Sequence, residues 1–135
     1  VAAEKKKILV TFDLKEQKRA LLDQTFGEIA EVSILPDLTG SERQRKLEEA
    51  DILFTWNMPR EMREEEIRNL RRTRLVQLVS AGADHVPYSA LPPGVIVAAN
   101  VGAFAEPMAE HVLAMTMALS KRLLPLHNKL AKGEF

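Results

Sequence analysis

Five short runs of branched apolar residues punctuate the chain at an almost even interval, and that rhythm restricts the fold more than any other feature. They read ILVTF (8–12), EVSIL (31–35), ILFTW (52–56), LVQLV (75–79) and VIVAA (95–99), with starts 20 to 23 residues apart. One strand followed by a crossover helix fills such an interval, and crossovers between parallel strands are right-handed. Runs that are apolar almost throughout, rather than alternating, suit a sheet covered on both faces. The spacing therefore predicts an α/β fold: a doubly wound five-stranded parallel sheet, flavodoxin-like in its order 2-1-3-4-5.

The segments between the runs carry helix signals. Asp13 with Glu16 three residues later predicts a capping box for a helix over 14–26, with Leu14, Ala20, Leu21 and Phe26 as its apolar contacts and Gly27 as its stop. Pro36 and Gly40 precede a polar helix from Ser41 to Ala50, and Pro59 opens another to about Arg71 whose buried line is Met62, Ile67 and Leu70. HVPYSALPPG holds three prolines and allows at most a short helical turn. After the fifth run, a helix beginning near residue 103 carries Met108, Val112, Leu113, Met115, Leu119, Leu123 and Leu126 almost all the way round. A helix apolar on every side must be covered on every side. We expect residues 1–102 to form a flavodoxin-like domain and 103–135 a long linker helix. Its cover would come from a further domain or from a second copy, as a homodimer or by exchange of residues 103–132.

Charge and cysteine content narrow the possible partners. Nineteen Lys and Arg balance nineteen Asp and Glu, so no net positive field gathers nucleic acid or anionic lipid. The runs SERQRKLEEA and PREMREEEIRNLRR read as solvated helix faces. The chain has no Cys, which leaves no disulfide or cysteine-based zinc site and suits a reducing compartment. A cytoplasmic protein with no membrane partner is expected.

In open α/β sheets ligands collect outside the carboxyl ends of the strands. Those ends here lead into Asp13-Leu14, Trp56-Asn57-Met58, Ser80-Ala81-Gly82-Ala83 and Asn100-Val101-Gly102. The lack of bulk in Ser80, Ala81 and Gly82 lets backbone approach a ligand, and consecutive free N–H groups can cradle a carboxylate. A tight turn that merely packs is the competing reading, and the residues leave both open. Asn100, Trp56 and Asn57 complete the candidate ligand-binding set, although core filling is the ordinary role of a lone Trp. The six glycines never take dinucleotide-fingerprint spacing, no GxxxxGK loop exists, and Asn57 and Asn100 stand where a phospho-accepting receiver would need Asp and Lys. His85 is expected in an exposed loop, His111 packed between elements, and His127 near a helix end. No pair has metal-ligand spacing, so no metal is expected.

LVQLVSAGADHVPYSALPPGVIVAANVGAFAEPMAEHVLAMTMALSKRL resembles the first part of the D-isomer-specific 2-hydroxyacid dehydrogenases. The likeness rests on the turn with Ser80, Gly82 and Asp84, the Asn100 and Gly102 loop, the Ala109-Glu110-His111 helix opening, and Arg122. Residues 1–74 agree only in layout. The resemblance implies the substrate-binding lobe of an enzyme that interconverts 2-keto and D-2-hydroxy acids with NAD or NADP. It places the substrate carboxylate on the N–H groups of Ala81 and Gly82, with Asn100 beside it. It also places the family's nucleotide loop and its catalytic Arg, Glu and His beyond Phe135, and His111 is not that His. The expectation is a chain with no catalytic residue and no cofactor of its own, silent when isolated. The rival expectation is a self-standing flavodoxin-like interaction module that dimerises through its last helix.

Overall fold

The computed structural model describes residues 4–134. Contacts divide the chain into two compact units, Val1–Val101 and Gly102–Phe135. The first contains strands β1 (Lys6–Val10), β2 (Ala30–Ile34), β3 (Ile52–Thr55), β4 (Leu75–Leu78) and β5 (Ile96–Ala98). All neighbours pair in parallel in the order β2-β1-β3-β4-β5, the order expected from the run spacing. Leu9 pairs with Leu53, Leu53 with Val76 and Val76 with Val97, so one row of apolar side chains crosses four strands on one face.

That face meets helices α2 (Gly40–Glu49), α3 (Met58–Glu61) and α4 (Glu64–Arg68). Leu9, Leu53 and Val76 join Leu35, Leu47, Met58, Met62, Ile67 and Leu70 in the main core. Each such side chain contributes about 1.5–3 kcal/mol by leaving water. The predicted line of Met62, Ile67 and Leu70 is buried as expected. The other face carries Ile8 and Val10, which pack with Leu14, Leu22 and Phe26 at and on helix α1 (Glu16–Phe26). Farther along this face Ile96 is 66% exposed.

Several local expectations are corrected. No capping box forms at Asp13: Lys15 is the residue before α1, and the Asp13 carboxylate instead accepts from the Arg19 guanidinium at 3.1 Å. Arg19 also pairs with Asp37 and donates to the Leu14 carbonyl, so it ties the ends of β1 and β2 together. Ala20 and Leu21 face solvent, and Leu22 packs in their place. The helix expected to run to Arg71 is two short helices, because the chain extends at Met62 and Arg63 and restarts where the Glu66 carboxylate accepts the Arg63 N–H at 2.8 Å. Only a 3₁₀ turn, Tyr88–Ala90, forms in the proline-rich stretch, as expected.

The second unit holds helices α5 (Ala105–Ser120) and α6 (Leu123–Ala131) rather than one long helix. Arg122 sits at φ 52°, in the left-handed region that an L residue enters at a cost, and it interrupts the helical path. None of the described residues of this unit is buried, and His111 and His127 are both exposed. No helix among the described residues is long and apolar enough to cross a membrane.

One buried carboxylate ties the helical layer together. Glu66, 6% exposed, accepts from Arg43 Nε at 2.6 Å and from the Arg63 backbone and guanidinium. Burial pushes its carboxyl upward, but these hydrogen bonds and the Arg43 charge outweigh that and hold it at about 2, below the ordinary 4.5. A carboxyl depressed in the folded chain stabilises fully above its unfolded value and loses that contribution as pH falls toward the folded one. Urea unfolding followed by circular dichroism is expected to show stability declining between about pH 4.5 and about pH 2. Glu66→Gln should cost on the order of 2 kcal/mol at neutral pH and flatten that decline.

Candidate functional site

The carboxyl ends of the strands build two adjacent mouths that differ in how their polar groups are satisfied. Between β1 and β3, where strand order reverses, Thr11 and Thr55 lie side by side and are 2% and 0% exposed. Buried hydroxyls need partners, and one carboxylate supplies them. Glu61 Oε2 accepts from Thr11 Oγ1 at 2.5 Å, Thr55 Oγ1 at 2.7 Å and the Trp56 N–H at 3.1 Å, and Oε1 accepts from the Asn57 N–H at 2.6 Å. The arrangement is self-closing, because the Glu61 N–H in turn donates to the Asn57 carbonyl at 3.2 Å. Nothing in the sequence marks Glu61 directly, since it sits in a charged run, but a Thr near the end of two otherwise apolar strands was a usable signal.

Trp56 is 55% exposed, so the ordinary core role does not apply to it. Its ring stands edge-on to Phe12 at 6.3 Å between centroids, and Phe12 in turn meets Phe54. Phe12, Trp56 and Glu61, with Asp13, Lys15 and Lys18, line a cavity of about 390 Å³.

The second mouth lies between β4 and β5. The Asn100 N–H donates to the Ser80 carbonyl at 3.0 Å, and Asn100 Nδ2 reaches the Val79 carbonyl at 3.4 Å. Ser80 Oγ lies 3.0 Å from the Gly82 carbonyl and 3.4 Å from the Trp56 carbonyl. Ser80, Asn100 and the Trp56 backbone are therefore brought together at one edge, with Gly82 in the same turn. Asn57 is turned into the first mouth, where its N–H serves Glu61. Buried Val86 anchors the turn from below, donating its N–H to the Ala83 carbonyl.

Ala81 and Gly82 are exposed, and neither N–H donates to another group among the described residues. Gly82 does not have a positive φ, and a Cβ there would meet only Asp84 Oδ2 at 3.7 Å, an ordinary contact. Gly102 differs, since its φ of 86° does require glycine. The fold thus has no need for a missing side chain at 82, whereas a ligand approaching the backbone would.

His85, expected in solvent, is half-buried, and its Nε2 is enclosed without a partner among the described residues. A cavity of about 590 Å³ runs along α3 and α4 with Glu61 in its lining, and there Arg43 and Arg63 are already paired with Glu66. No group of acidic, His or Cys side chains among the described residues could hold a metal ion.

Comparison with known proteins gives this geometry a setting. Residues 8–124 match the D-isomer specific 2-hydroxyacid dehydrogenase catalytic domain. A formate dehydrogenase of Chaetomium thermophilum is 28% identical over 103 residues, covering 73% of this chain and 28% of that protein. A D-lactate dehydrogenase from Aquifex aeolicus, complexed with NAD and lactic acid, aligns with a TM-score of 0.67 at 19% identity, over 96% of this chain and 38% of its own. The PH0520 protein from Pyrococcus horikoshii OT3 gives 0.63 at 20% identity over 97% and 38%. The NAD+-bound 3-phosphoglycerate dehydrogenase of Entamoeba histolytica gives 0.60 at 19% over 85% and 39%. At such identities the structural likenesses speak to the fold, and the chain spans well under half the length of each of these relatives.

Because no packing or backbone constraint demands glycine at 82, Gly82→Ala is expected to change stability by no more than about 0.5 kcal/mol. Chemical denaturation measures this directly. A loss of several times that size would mean that the small residue serves the turn and not a visitor to it.

Proposed function

The chain belongs to the D-isomer specific 2-hydroxyacid dehydrogenases, and on that premise we propose that it is the lobe of such an enzyme that receives a small 2-keto or D-2-hydroxy acid. The observation that carries this reading is the pair of unengaged N–H groups at Ala81 and Gly82 beside Asn100, in a turn whose glycine the fold does not require. Two adjacent amides can each donate to one oxygen of a carboxylate. Ser80 holds the turn through its hydroxyl and carbonyl, Asn100 adds an amide at the same edge, and the Trp56-Asn57 turn forms the neighbouring wall.

The residues present do not fit NAD or NADP. A dinucleotide needs a glycine-rich turn opening a helix after a strand. Here the turn after β1 is Phe12-Asp13-Leu14-Lys15, and the mouth between β1 and β3 already contains a carboxylate. In this reading residues 1–102 are the substrate-binding domain, 103–135 are helical linker, and the nicotinamide cofactor, NAD or NADP, is carried by another domain of the parent enzyme. The acid and base groups of the reaction come with that domain, so the chain by itself binds without turning over.

Titration of the ¹⁵N-labelled chain with pyruvate, glyoxylate or hydroxypyruvate should move the Ala81, Gly82 and Asn100 amides saturably. The affinity should be weak, of order millimolar or about 4 kcal/mol. Gly82→Val should abolish these shifts, and added NADH should give no keto-acid reduction. Shifts confined to other regions would overturn the site, and measurable turnover would overturn the division of labour.

A second reading, of an interaction module that pairs through its last helices, is favoured by one observation. Val112, Leu113, Met117, Leu119, Leu124 and Leu130 are all exposed, a larger apolar surface than monomers ordinarily show. Sedimentation velocity should then find a dimer that dissociates when Leu113 and Met117 are changed to Lys; a monomer at micromolar concentration removes this reading.

A further inference from the structure

Glu61 is the most highly coordinated side chain of the carboxyl edge, and neither the packing of the core nor the substrate reading uses it. We propose that Glu61 is a positioning residue: a tethered carboxylate that engages the hydrogen-bond donors of the mouth between β1 and β3 and fixes the Trp56-Asn57 turn as the wall of the neighbouring mouth. The second part rests on the proposed substrate site; the first stands on geometry alone.

Four donors converge on one carboxylate, two from strand ends and two from consecutive peptide N–H groups. Thr11 directly follows β1, Thr55 ends β3 and both are buried, so the carboxylate joins the ends of β1 and β3 at the place where strand order reverses. The Trp56 and Asn57 N–H groups have no other acceptor, and their orientation sets the path of the peptide between them. That peptide bears on the second mouth, because the Trp56 carbonyl lies 3.4 Å from Ser80 Oγ and the Thr55 carbonyl accepts the Val79 N–H at 2.9 Å. Trp56 has few other restraints, since its ring is half in solvent and meets Phe12 only edge-on. Removing Glu61 would leave the Thr55 hydroxyl and two N–H groups without an acceptor, leave the Thr11 hydroxyl only the Phe54 carbonyl at 3.4 Å, and free the turn to move.

The arrangement also explains why an acid would not find the donors of the first mouth free. An anion seeking those four donors would have to displace a carboxylate already held by four hydrogen bonds and covalently attached five residues away from Trp56. An attached occupant competes as if at millimolar or greater concentration.

The chain has one Trp, so its fluorescence reports on this turn alone. Glu61→Ala is expected to lower the thermal midpoint by on the order of 10 °C and to shift the Trp56 emission to the red. Added acetate should reverse both changes saturably in Glu61→Ala and in neither respect affect the unmodified chain, with chloride at equal ionic strength as the control. Emission and midpoint unchanged by Glu61→Ala, or acetate acting alike on both chains, would overturn the proposal. If Glu61→Ala does not fold without acetate, Glu61→Gln provides the measurement, since it keeps the shape and one acceptor oxygen. Its emission should fall between those of the unmodified chain and the denatured chain, and an emission identical to the unmodified chain would overturn the proposal. In the same variant, pyruvate shifts at Ala81 and Gly82 should need several-fold more ligand. If those shifts are absent from the unmodified chain as well, the substrate reading fails while the emission and acetate results still decide the role of Glu61.

Discussion

Every loop that leaves a strand of a parallel sheet at its carboxyl end brings peptide N–H groups that lie beyond the ladder and must find acceptors elsewhere. How each of those groups is satisfied determines what this edge can do. At the point where strand order reverses, the chain supplies its own acceptor, the Glu61 carboxylate, which serves two hydroxyls and two N–H groups at once. One strand farther along, at Ala81 and Gly82, the N–H groups have no internal acceptor among the described residues. The two mouths are neighbours on one scaffold, yet the donors of one are taken by a carboxylate and those of the other are not. The same elementary requirement, met in one place and unmet in the next, separates structure from candidate site.

The open mouth is positioned by the packing below it. The row from Leu9 through Leu53 and Val76 to Val97 fixes the register of four strands, and therefore the height at which each loop departs. Val86 and Ala90, buried under the 80–90 loop, keep the SAGAD turn against the sheet in spite of its small residues. At the opposite end of the sheet, Asp51 accepts the Lys7 N–H at 2.9 Å, and Thr73 Oγ1 donates to the Ala50 carbonyl at 3.0 Å. Side chains thus satisfy the loops at that end within the fold. The asymmetry of the two edges follows from which loops carry polar side chains long enough to turn back on them.

The sheet was legible because its signal is redundant: each strand is marked by several branched apolar residues, and the interval between strands repeats. Boundaries and caps rest on single residues and were less legible. Asp13 looked like a helix cap, but Arg19 lies one turn into α1 and offers a guanidinium, which binds a carboxylate more strongly than a peptide N–H does. Leu21 and Leu22 are adjacent on a short helix with many charges, and periodicity alone does not choose between them. The turn at Arg122 had a sign in the sequence, Pro125: in a continuous helix it would lack the N–H for the Lys121 carbonyl and clash with it, whereas in the first turn of α6 it is tolerated. Of the candidate site, Ser80, Gly82 and Asn100 stand out in the sequence because small residues and an amide lie together at predicted strand ends. Glu61 was missed because one Glu among many in PREMREEEIRNLRR resembles its solvated neighbours, and its partners are distant in sequence. The Thr residues of ILVTF and ILFTW were the hidden half of the signal: two polar residues at matching places in two apolar runs call for a shared acceptor.

Two bare amides in an open mouth are a modest binding site, and this bears on the proposed role. In water an amide that meets a carboxylate exchanges one set of hydrogen bonds for another, with a small net gain. The same geometry becomes much more effective once water is excluded, because the local dielectric falls and the donors are already oriented. Residues 81 and 82 are exposed, so nothing among the described residues of the Val1–Val101 unit performs that exclusion. A lobe that presents oriented donors and leaves the mouth uncovered is suited, under the proposed function, to hold one end of a substrate while a second surface closes over the other. Under the proposed function, selectivity for the acid would then be divided. The amides recognise the carboxylate common to all such acids, and the Trp56 wall, held in place by Glu61, meets whatever substituent distinguishes one acid from the next.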